Sequence, residues 1–161
     1  MAIAVGSKVP DVEVKVIRDG KNESAQTGEL LGTGKVVLVG VPGAFTPTCS
    51  NQHLPGFVEH TEELFGKGVD RIACISVNDA WVMDAWGQAQ GVGEDILMIG
   101  DGNGAFSDAM ELTVDLAGAG LGRRSARYAA IIEDGVITSL NVEANPGVDA
   151  SSCSTVLATL G

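Results

Sequence analysis

The segment VVLVGV at residues 36–41 constrains the fold more than any other part of the sequence. It is a short, unbroken apolar run rich in β-branched residues, and it ends at Pro42 and Gly43. A strand with one face in water alternates apolar and polar residues, whereas an unbroken run of this length is typical of a strand buried on both faces. The sequence therefore predicts a central strand that is covered on both sides and is followed by a loop.

Apolar spacing along the middle of the chain predicts strands and helices in alternation. Residues 47–66 have near-helical spacing, residues 71–77 and 96–99 have the composition of buried strands, and residues 79–90 form a candidate helix between them. Because crossover helices connect parallel strands and cover the faces of the sheet, a β-α-β-α-β order predicts the α/β fold class.

The two ends of the chain add further elements. They are a strand over residues 12–17, a hairpin with strands over 128–132 and 136–142, and a final helix over 151–160. Asp134 and Gly135 are typical of a two-residue hairpin turn, and Ser151 or Ser152 is a suitable N-cap for the helix. We therefore expect one domain over residues 1–161, with a central mixed β-sheet flanked by helices.

Charge and hydropathy argue against several classes of partner. The 161 residues include 10 Lys and Arg against 21 Asp and Glu, which gives a net charge of −11. A surface of this sign repels phosphate backbones and anionic lipid headgroups, so we expect neither a nucleic-acid nor a membrane partner. The first residues have no basic stretch and no apolar run of signal-peptide length, which predicts a cytoplasmic location.

Cys49 occupies the position with the clearest chemical meaning. Ligands of open α/β sheets bind beyond the carboxyl ends of the strands, and Cys49 follows the loop at that end of the central strand. With Thr46 as N-cap and Pro47 as the first helical residue, the thiol lies in the first helical turn, where a thiolate is favoured. Spacing alone favours the interpretation of Cys49 as a small buried hydrophobic side chain.

A helix start is a weak source of thiol activation. Ionising an ordinary thiol at neutral pH needs roughly 3.4 kcal/mol of preference for the anion, and a helix end supplies about 0.3–2 kcal/mol. A second cationic group is therefore expected, and the densest basic cluster is RRSAR at residues 123–127. Arg127 adjoins a predicted strand that would hold its guanidinium in place. A solvated turn is the alternative interpretation of this cluster.

Four segments resemble the type II, or fifth-subfamily, peroxiredoxins of the AhpC/TSA family, namely PGAFTPTC, SNQHLPGF, ISVNDAWVMDAWG and RRSARYAAIIEDG. The family pattern Pro-x-x-x-Thr-x-x-Cys falls on Pro42, Thr46 and Cys49, its remote arginine falls on Arg127, and Arg124 matches a common basic position. The resemblance implies a thioredoxin-like fold and a homodimer. It also implies a peroxidase that acts on hydrogen peroxide and alkyl hydroperoxides without metal, haem or other cofactor, reduced by glutathione, glutaredoxin or thioredoxin.

The resemblance also assigns expected roles. Cys49 is the nucleophile that becomes a sulfenic acid, Arg127 stabilises the developing charge, Thr46 orients the peroxide and Pro42 shields the sulfur. Cys74 and Cys153 are candidate resolving cysteines by similarity to plant-type and animal-type members. Cys74 equally suits a core thiol, and an external thiol is an alternative to both.

Several other residues have two open interpretations. His53 shares a helix face with Cys49, which suggests an acid-base partner, although a structural role is favoured. Residues 101–104 look like part of a calcium loop but lack the distal ligand, so a turn is expected. The aromatic residues Phe45, Trp81 and Trp86 suit either a dimer surface or core packing.

Two other functions remain candidates at this stage. A thiol-disulfide oxidoreductase normally needs a Cys-x-x-Cys pair, and Thr46 stands where the first cysteine would be. A redox-sensing protein would use oxidation of Cys49 to change a partner-binding interface. A sensor needs oxidation only once, whereas an enzyme turns over.

Overall fold

The computed structural model describes residues 2–161. Its strands are β1 (Glu13–Arg18), β2 (Lys21–Gln26), β3 (Lys35–Gly40), β4 (Arg71–Ser76), β5 (Ile96–Gly100), β6 (Thr113–Leu116), β7 (Gly122–Ser125), β8 (Tyr128–Glu133) and β9 (Val136–Val142). Its α-helices are α1 (Thr27–Leu31), α2 (Leu54–Glu59), α3 (Thr61–Gly66), α4 (Ala80–Gln90), α5 (Ala105–Ala109) and α6 (Cys153–Leu160). A π-helical turn, Cys49–His53, precedes α2, and a 3₁₀ turn, Ala117–Ala119, follows β6.

Seven strands form one mixed sheet in the order β2-β1-β5-β4-β3-β8-β9. Strands β3, β4 and β5 are parallel, as the alternating order predicts, whereas β8 pairs antiparallel with β3 and with β9. The register sets Val39 of β3 opposite Cys74 of β4 and opposite Ala129 of β8. The predicted α/β class with a central mixed sheet is thus confirmed, and the predicted hairpin closes one edge.

The two faces of β3 are both buried, as its sequence predicts. Val37 and Val39 pack with Phe57 and Trp86 in the cluster on one face of the sheet. Leu38 packs in the cluster on the other face. Successive side chains of a strand point to opposite faces of the sheet. Because neither face of β3 is exposed to solvent, its sequence has no alternation of apolar and polar residues.

The predicted helix over residues 47–66 is broken into shorter pieces. The chain becomes helical at Pro47, passes through the π-helical turn into α2, and leaves helical geometry at His60 before α3. A ring nitrogen of His60, Nδ1, lies 2.8 Å from the Gly56 carbonyl oxygen. This side-chain bond competes with the regular backbone ladder and accompanies the break.

Several short elements have no signal in the apolar pattern. Strand β2 has the sequence KNESAQ, is mostly exposed and forms one edge of the sheet. Its pairing with β1 stabilises it, since its side chains contribute little burial. The small sheet of β6 and β7 consists of four-residue strands that are mostly exposed or half-buried. Among the described residues, no helix has the length and apolar character needed to cross a bilayer.

The segment at residues 101–104 is a turn, as predicted. The carboxylate of Asp101 accepts hydrogen bonds from Phe106 N at 3.0 Å, Ser107 N at 2.9 Å and Ser107 Oγ at 3.0 Å. Three donors from the start of α5 therefore satisfy a buried acid.

Candidate active site

The loop after β3 is held against the end of β4. Ala44 N donates to Asn78 Oδ1 at 3.0 Å, and Ser76 Oγ donates to the same oxygen at 2.8 Å. Phe45 has a φ of 64°, which is unusual for a residue with a side chain. The neighbouring strand thus fixes a loop that contains local strain at its tip.

The helix that contains Cys49 begins at Pro47, as predicted, but the Thr46 hydroxyl does not act as its cap. That hydroxyl donates to the Gly43 carbonyl at 2.6 Å, because the loop turns back and brings this acceptor within reach. The Thr46 carbonyl accepts the first helical bond, from Ser50 N at 2.9 Å. Thr46 therefore occupies the predicted N-cap position, but its side chain does not cap the helix, and the hydroxyl oxygen keeps its lone pairs available to a ligand.

Cys49 is fully buried and lies against a guanidinium group. The Nη2 group of Arg127 donates to Cys49 Sγ at 3.2 Å. Arg127 stands between β7 and β8, and its own carbonyl accepts from Glu143 N at 2.9 Å. The structure thus brings together Cys49 and Arg127, the two residues that the sequence analysis paired. The guanidinium adds a full positive charge to the weak effect of the helix start.

His53 orients the same guanidinium. Arg127 Nη1 lies 3.1 Å from His53 Nδ1, and His53 Nε2 lies 2.9 Å from the Ser151 carbonyl oxygen. A carbonyl only accepts, so Nε2 has the proton and Nδ1 accepts from Arg127. Burial, together with the Arg127 charge, lowers the pKa of His53 to about 4 against the weaker opposing effect of the Ser151 bond. The imidazole is therefore neutral at neutral pH and holds Arg127 in place.

A carboxylate behind His53 fixes the turn that supplies the Ser151 carbonyl. Glu143 Oε2 accepts from Ser151 N at 2.7 Å, from Ser151 Oγ at 2.6 Å and from Asp149 N at 2.8 Å. Burial acts to raise the pKa of Glu143, but these hydrogen bonds together hold it below its ordinary value. A chain of contacts thus runs from Glu143 through Ser151 and His53 to Arg127.

Arg124 lies on the other side of the loop. Its Nε donates to the Leu121 carbonyl at 2.8 Å and its Nη1 donates to the Pro42 carbonyl at 3.4 Å. A methyl group built on Gly43 would lie 3.0 Å from Thr46 Cγ2 and 3.4 Å from Arg124 Nη1. The guanidinium of Arg124 therefore lies against the start of the segment that contains Pro42 and Thr46, whereas that of Arg127 lies against Cys49.

Cys74 and Cys153 are buried free thiols in the same cluster as Cys49. Burial raises the pKa of Cys74 far above its ordinary value, because its strand lies inside the sheet. Burial and the charge of Glu63 raise the pKa of Cys153 to about 11. Cys153 is the first residue of α6, and both thiols are protonated at neutral pH.

The three aromatic residues considered from sequence do not form one surface. Trp86 is fully buried in the core, and its Nε1 donates to Ser50 Oγ at 3.0 Å. Phe45 is 55% exposed and Trp81 is 61% exposed. The core interpretation therefore applies to Trp86, whereas the other two remain available for an interface.

A buried cysteine set against a guanidinium, on a mixed sheet with helices on both faces, defines the class of thiol-based redox enzymes. The comparisons with known proteins give the family. The Redoxin family matches residues 4–157. The chain is 47% identical over 163 residues to chloroplastic peroxiredoxin-2E-2 of rice, covering 98% of this chain and 72% of that protein. It is 43% identical over 159 residues to peroxiredoxin-2B of Arabidopsis thaliana, with 98% of each chain covered.

Solved structures agree with this assignment. Reduced Prx3 of Vibrio vulnificus in complex with hydrogen peroxide is 48% identical and superposes with a TM-score of 0.94 over 99% of both chains. The chain therefore belongs to the type II peroxiredoxins within the Redoxin family, with their thioredoxin-like fold. It is an antioxidant oxidoreductase, a thiol-dependent peroxidase, and the resemblance stated from sequence is confirmed.

The sequence pattern favours a structural role for His53, and it assigns no part of the site to Glu143 or to Ser151, which it indicates only as a helix cap. A histidine four residues after the cysteine was a visible signal, but its link to Arg127 spans 74 residues and its link to Ser151 spans 98. Glu143 had no sequence signal, because its role depends on a turn that forms only in the folded chain.

Proposed function

We propose that Cys49 is the nucleophile of the peroxidase and that its sulfenic acid is reduced by an external thiol. The contact of 3.2 Å between Arg127 Nη2 and Cys49 Sγ is the observation that supports this proposal most directly. A charged donor at this distance stabilises the anion of the sulfur more than its protonated form.

The first step transfers one oxygen atom. The Cys49 thiolate attacks one peroxide oxygen, an S–O bond forms, the O–O bond breaks, and the electron pair leaves on the second oxygen. That oxygen takes up a proton and departs as water or an alcohol, which leaves a sulfenic acid on Cys49. Arg127 stabilises the thiolate before the step and the leaving oxygen during it.

Thr46 and Pro42 complete the proposed peroxide pocket. Because the Thr46 hydroxyl donates to the Gly43 carbonyl, its lone pairs are oriented to accept from a peroxide O–H. Pro42 contributes a rigid ring without an N–H, which limits access of water to the sulfur. The sulfur is fully buried, an arrangement that favours small substrates.

Hydrogen peroxide and alkyl hydroperoxides are the proposed substrates. The Vibrio vulnificus relative was solved in complex with hydrogen peroxide, and its similarity to this chain supports the first of these. The proposed reductants are glutathione, glutaredoxin or thioredoxin. Reduction by an external thiol is favoured over resolution by Cys74 or Cys153, because both thiols are buried and protonated in the reduced protein.

A homodimer and a cytoplasmic location are further parts of the proposal. Phe45 and Trp81 are exposed aromatic side chains, and Ala44 N donates to Asn78 Oδ1, so the loop that contains Phe45 meets the segment just before α4, the helix that contains Trp81. Loss of dimer mass for Phe45→Ser together with Trp81→Ser in analytical ultracentrifugation tests the first part. The proposed location rests on the sequence, and localisation of the tagged protein tests it.

The central experiment removes the proposed nucleophile. Cys49→Ser is expected to abolish peroxide consumption, whereas Cys74→Ala and Cys153→Ser retain it with an external thiol. Substantial turnover in Cys49→Ser would refute the assignment. Disulfide mapping after one equivalent of peroxide distinguishes the cycles, since a bond from Cys49 to Cys153 or Cys74 would mean internal resolution. Oxidation of Cys49 without turnover would instead favour the redox-sensing alternative.

A further inference from the structure

Arg124 and Arg127 each contact the segment that runs from Pro42 to Cys49 on a strongly acidic protein. The net charge is −11, and the ion pairs among the described residues are Lys15 with Glu13, Lys35 with Glu133, and Arg123 with Asp108. In that part of the chain neither Arg124 nor Arg127 pairs with a carboxylate, since their partners are carbonyl oxygens, a neutral imidazole and the Cys49 sulfur.

The two arginines differ in the direction of their guanidinium groups and in how many N–H donors have an acceptor. The guanidinium of Arg127 points inward to Cys49 and His53. Arg124 is half-buried, and the Leu121 and Pro42 carbonyls occupy two of its five N–H groups, so three have no acceptor within residues 2–161. A planar cation with unused donors matches the geometry of a carboxylate.

Arg124 stands beside the loop that leads to Cys49. Its Nη1 lies 3.4 Å from the Pro42 carbonyl oxygen and would lie 3.4 Å from a methyl group at Gly43, whose carbonyl accepts from the Thr46 hydroxyl. A molecule that reaches the Cys49 sulfur past this loop therefore passes an uncompensated positive charge. Elsewhere, an anion approaching a protein of this net charge is repelled.

We propose that Arg124 is a recognition residue for small thiols that carry carboxylates, and that it draws them to oxidised Cys49. This inference rests on the proposed function and specifies the class of reductant for the same site. In the step concerned, the thiol sulfur forms an S–S bond with Cys49, the S–O bond of the sulfenic acid breaks, and the hydroxyl leaves as water after taking the thiol proton. A second thiol then releases Cys49 as a thiol and leaves as the disulfide.

The test compares three thiols of different charge on preformed sulfenic acid. One equivalent of peroxide is added to the full chain with Cys153→Ser, and adduct formation is followed by mass with glutathione, neutral 2-mercaptoethanol and cationic cysteamine. For Arg124→Gln we expect the ratio of the glutathione rate to the 2-mercaptoethanol rate to fall about fivefold at low salt, and the cysteamine ratio to rise. Because each ratio is taken within one protein, a change in the peroxide step cancels.

Two matched variants distinguish recognition of the thiol by Arg124 from a change in the overall charge of the protein. Arg124→Lys keeps the charge and is expected to retain most of the preference for glutathione. Arg123→Gln removes the same charge one residue away, where it pairs with Asp108, and is expected to leave the ratios unchanged. If Cys153→Ser does not fold, steady-state consumption of the three thiols by the otherwise unaltered chain gives the same ratios.

An unchanged glutathione ratio in Arg124→Gln would overturn the inference, as would an equal fall in Arg123→Gln. The proposed function fails in a different way. If Cys49 is not the nucleophile, no sulfenic acid forms on this residue with any of the variants. A Cys49 sulfenic acid without charge discrimination would therefore refute only the role of Arg124.

Discussion

The guanidinium of Arg127 lies 3.2 Å from the sulfur of Cys49, although 78 residues separate them in the chain. Arg127 directly precedes strand β8, and Cys49 lies near the start of the helix that begins at Pro47, so these two elements position the contact. His53 Nδ1 lies 3.1 Å from Nη1 of the same guanidinium, so the position of the cation depends on a neutral imidazole as well as on the backbone between β7 and β8.

Replacing Arg127 tests the charge beside the thiol. We expect Arg127→Gln to slow oxidation of Cys49 by hydrogen peroxide about 10²- to 10³-fold, as for the loss of one donor to a developing oxyanion. Stopped-flow fluorescence of the tryptophans measures this rate, and Arg127→Lys should recover part of it. A rate within threefold of the unaltered protein in Arg127→Gln would contradict the proposed role.

Replacing His53 tests the buried imidazole through pH. Its pKa is about 4 in the folded protein against an ordinary value of 6.5, so the unfolded chain binds the proton more readily between these values. As pH falls from about 6.5 to 4, protonation therefore lowers the free energy of unfolding, by about 3 kcal/mol in total. Above pH 6.5 the effect is absent.

The control for this prediction is His53→Gln, which can accept from Arg127 but does not titrate. The difference in unfolding free energy between the two proteins, measured by urea at pH 7, 6, 5 and 4, should shift in favour of the variant as pH falls. Carboxylates titrate equally in both and cancel. Parallel pH profiles for the two proteins would mean that His53 does not contribute in this way.

Replacing Glu143 tests the turn before α6. Its carboxylate accepts three hydrogen bonds from Asp149 and Ser151, and a neutral amide accepts them less strongly. We expect Glu143→Gln to loosen this turn and to raise the alkylation rate of Cys153 roughly tenfold. Because the folded pKa of Glu143 is lowered, its contribution to stability is present above its ordinary pKa and is lost as pH falls below it.

The measurement uses a maleimide and mass analysis of the labelled cysteine. Glu94→Gln changes an exposed carboxylate far along the chain and should leave the Cys153 rate unchanged. Equal labelling rates in both variants would show that Glu143 does not control this segment.

Two glycines provide a matched test of packing. A methyl group at Gly40 would collide with the ring of buried Tyr128 on the neighbouring strand, and neither strand can move freely inside the sheet. We expect Gly40→Ala to lower the free energy of unfolding by about 3 kcal/mol. A methyl group at Gly56 in α2 would lie 3.5 Å from Cys153 Cβ, an ordinary contact.

Gly56→Ala should therefore raise the free energy of unfolding by about 0.5–1 kcal/mol, because alanine favours the helix. Thermal and urea unfolding of both variants against the unaltered protein provide the comparison. Equal effects of the two substitutions would contradict the packing described around Tyr128.

Buried segments of the fold were predictable from the sequence, whereas exposed segments were not, because burial leaves a pattern of apolar residues. Strand β3 was predictable because both of its faces are covered, and the hairpin of β8 and β9 because Asp134 and Gly135 turn the chain. Strand β2 was not, since an exposed polar edge strand has no apolar period. The break at His60 was missed for a related reason: its ring bonds to the Gly56 carbonyl and leaves no trace in apolar spacing.

By itself, the sequence determined the central buried strand, the loop that follows it, the helix start at Pro47 and the identity of Cys49 and Arg127 as the residues of interest. These features are local, because apolar period, turn chemistry and helix-start preferences act over a few residues. Only the tertiary structure decided that His53 accepts from Arg127, that Ser151 fixes the imidazole and that Arg124 stands at the loop with no acidic partner among residues 2–161. Hydrogen-bond direction and charge compensation depend on distances between side chains far apart in the chain, and those distances exist only once the sheet has formed.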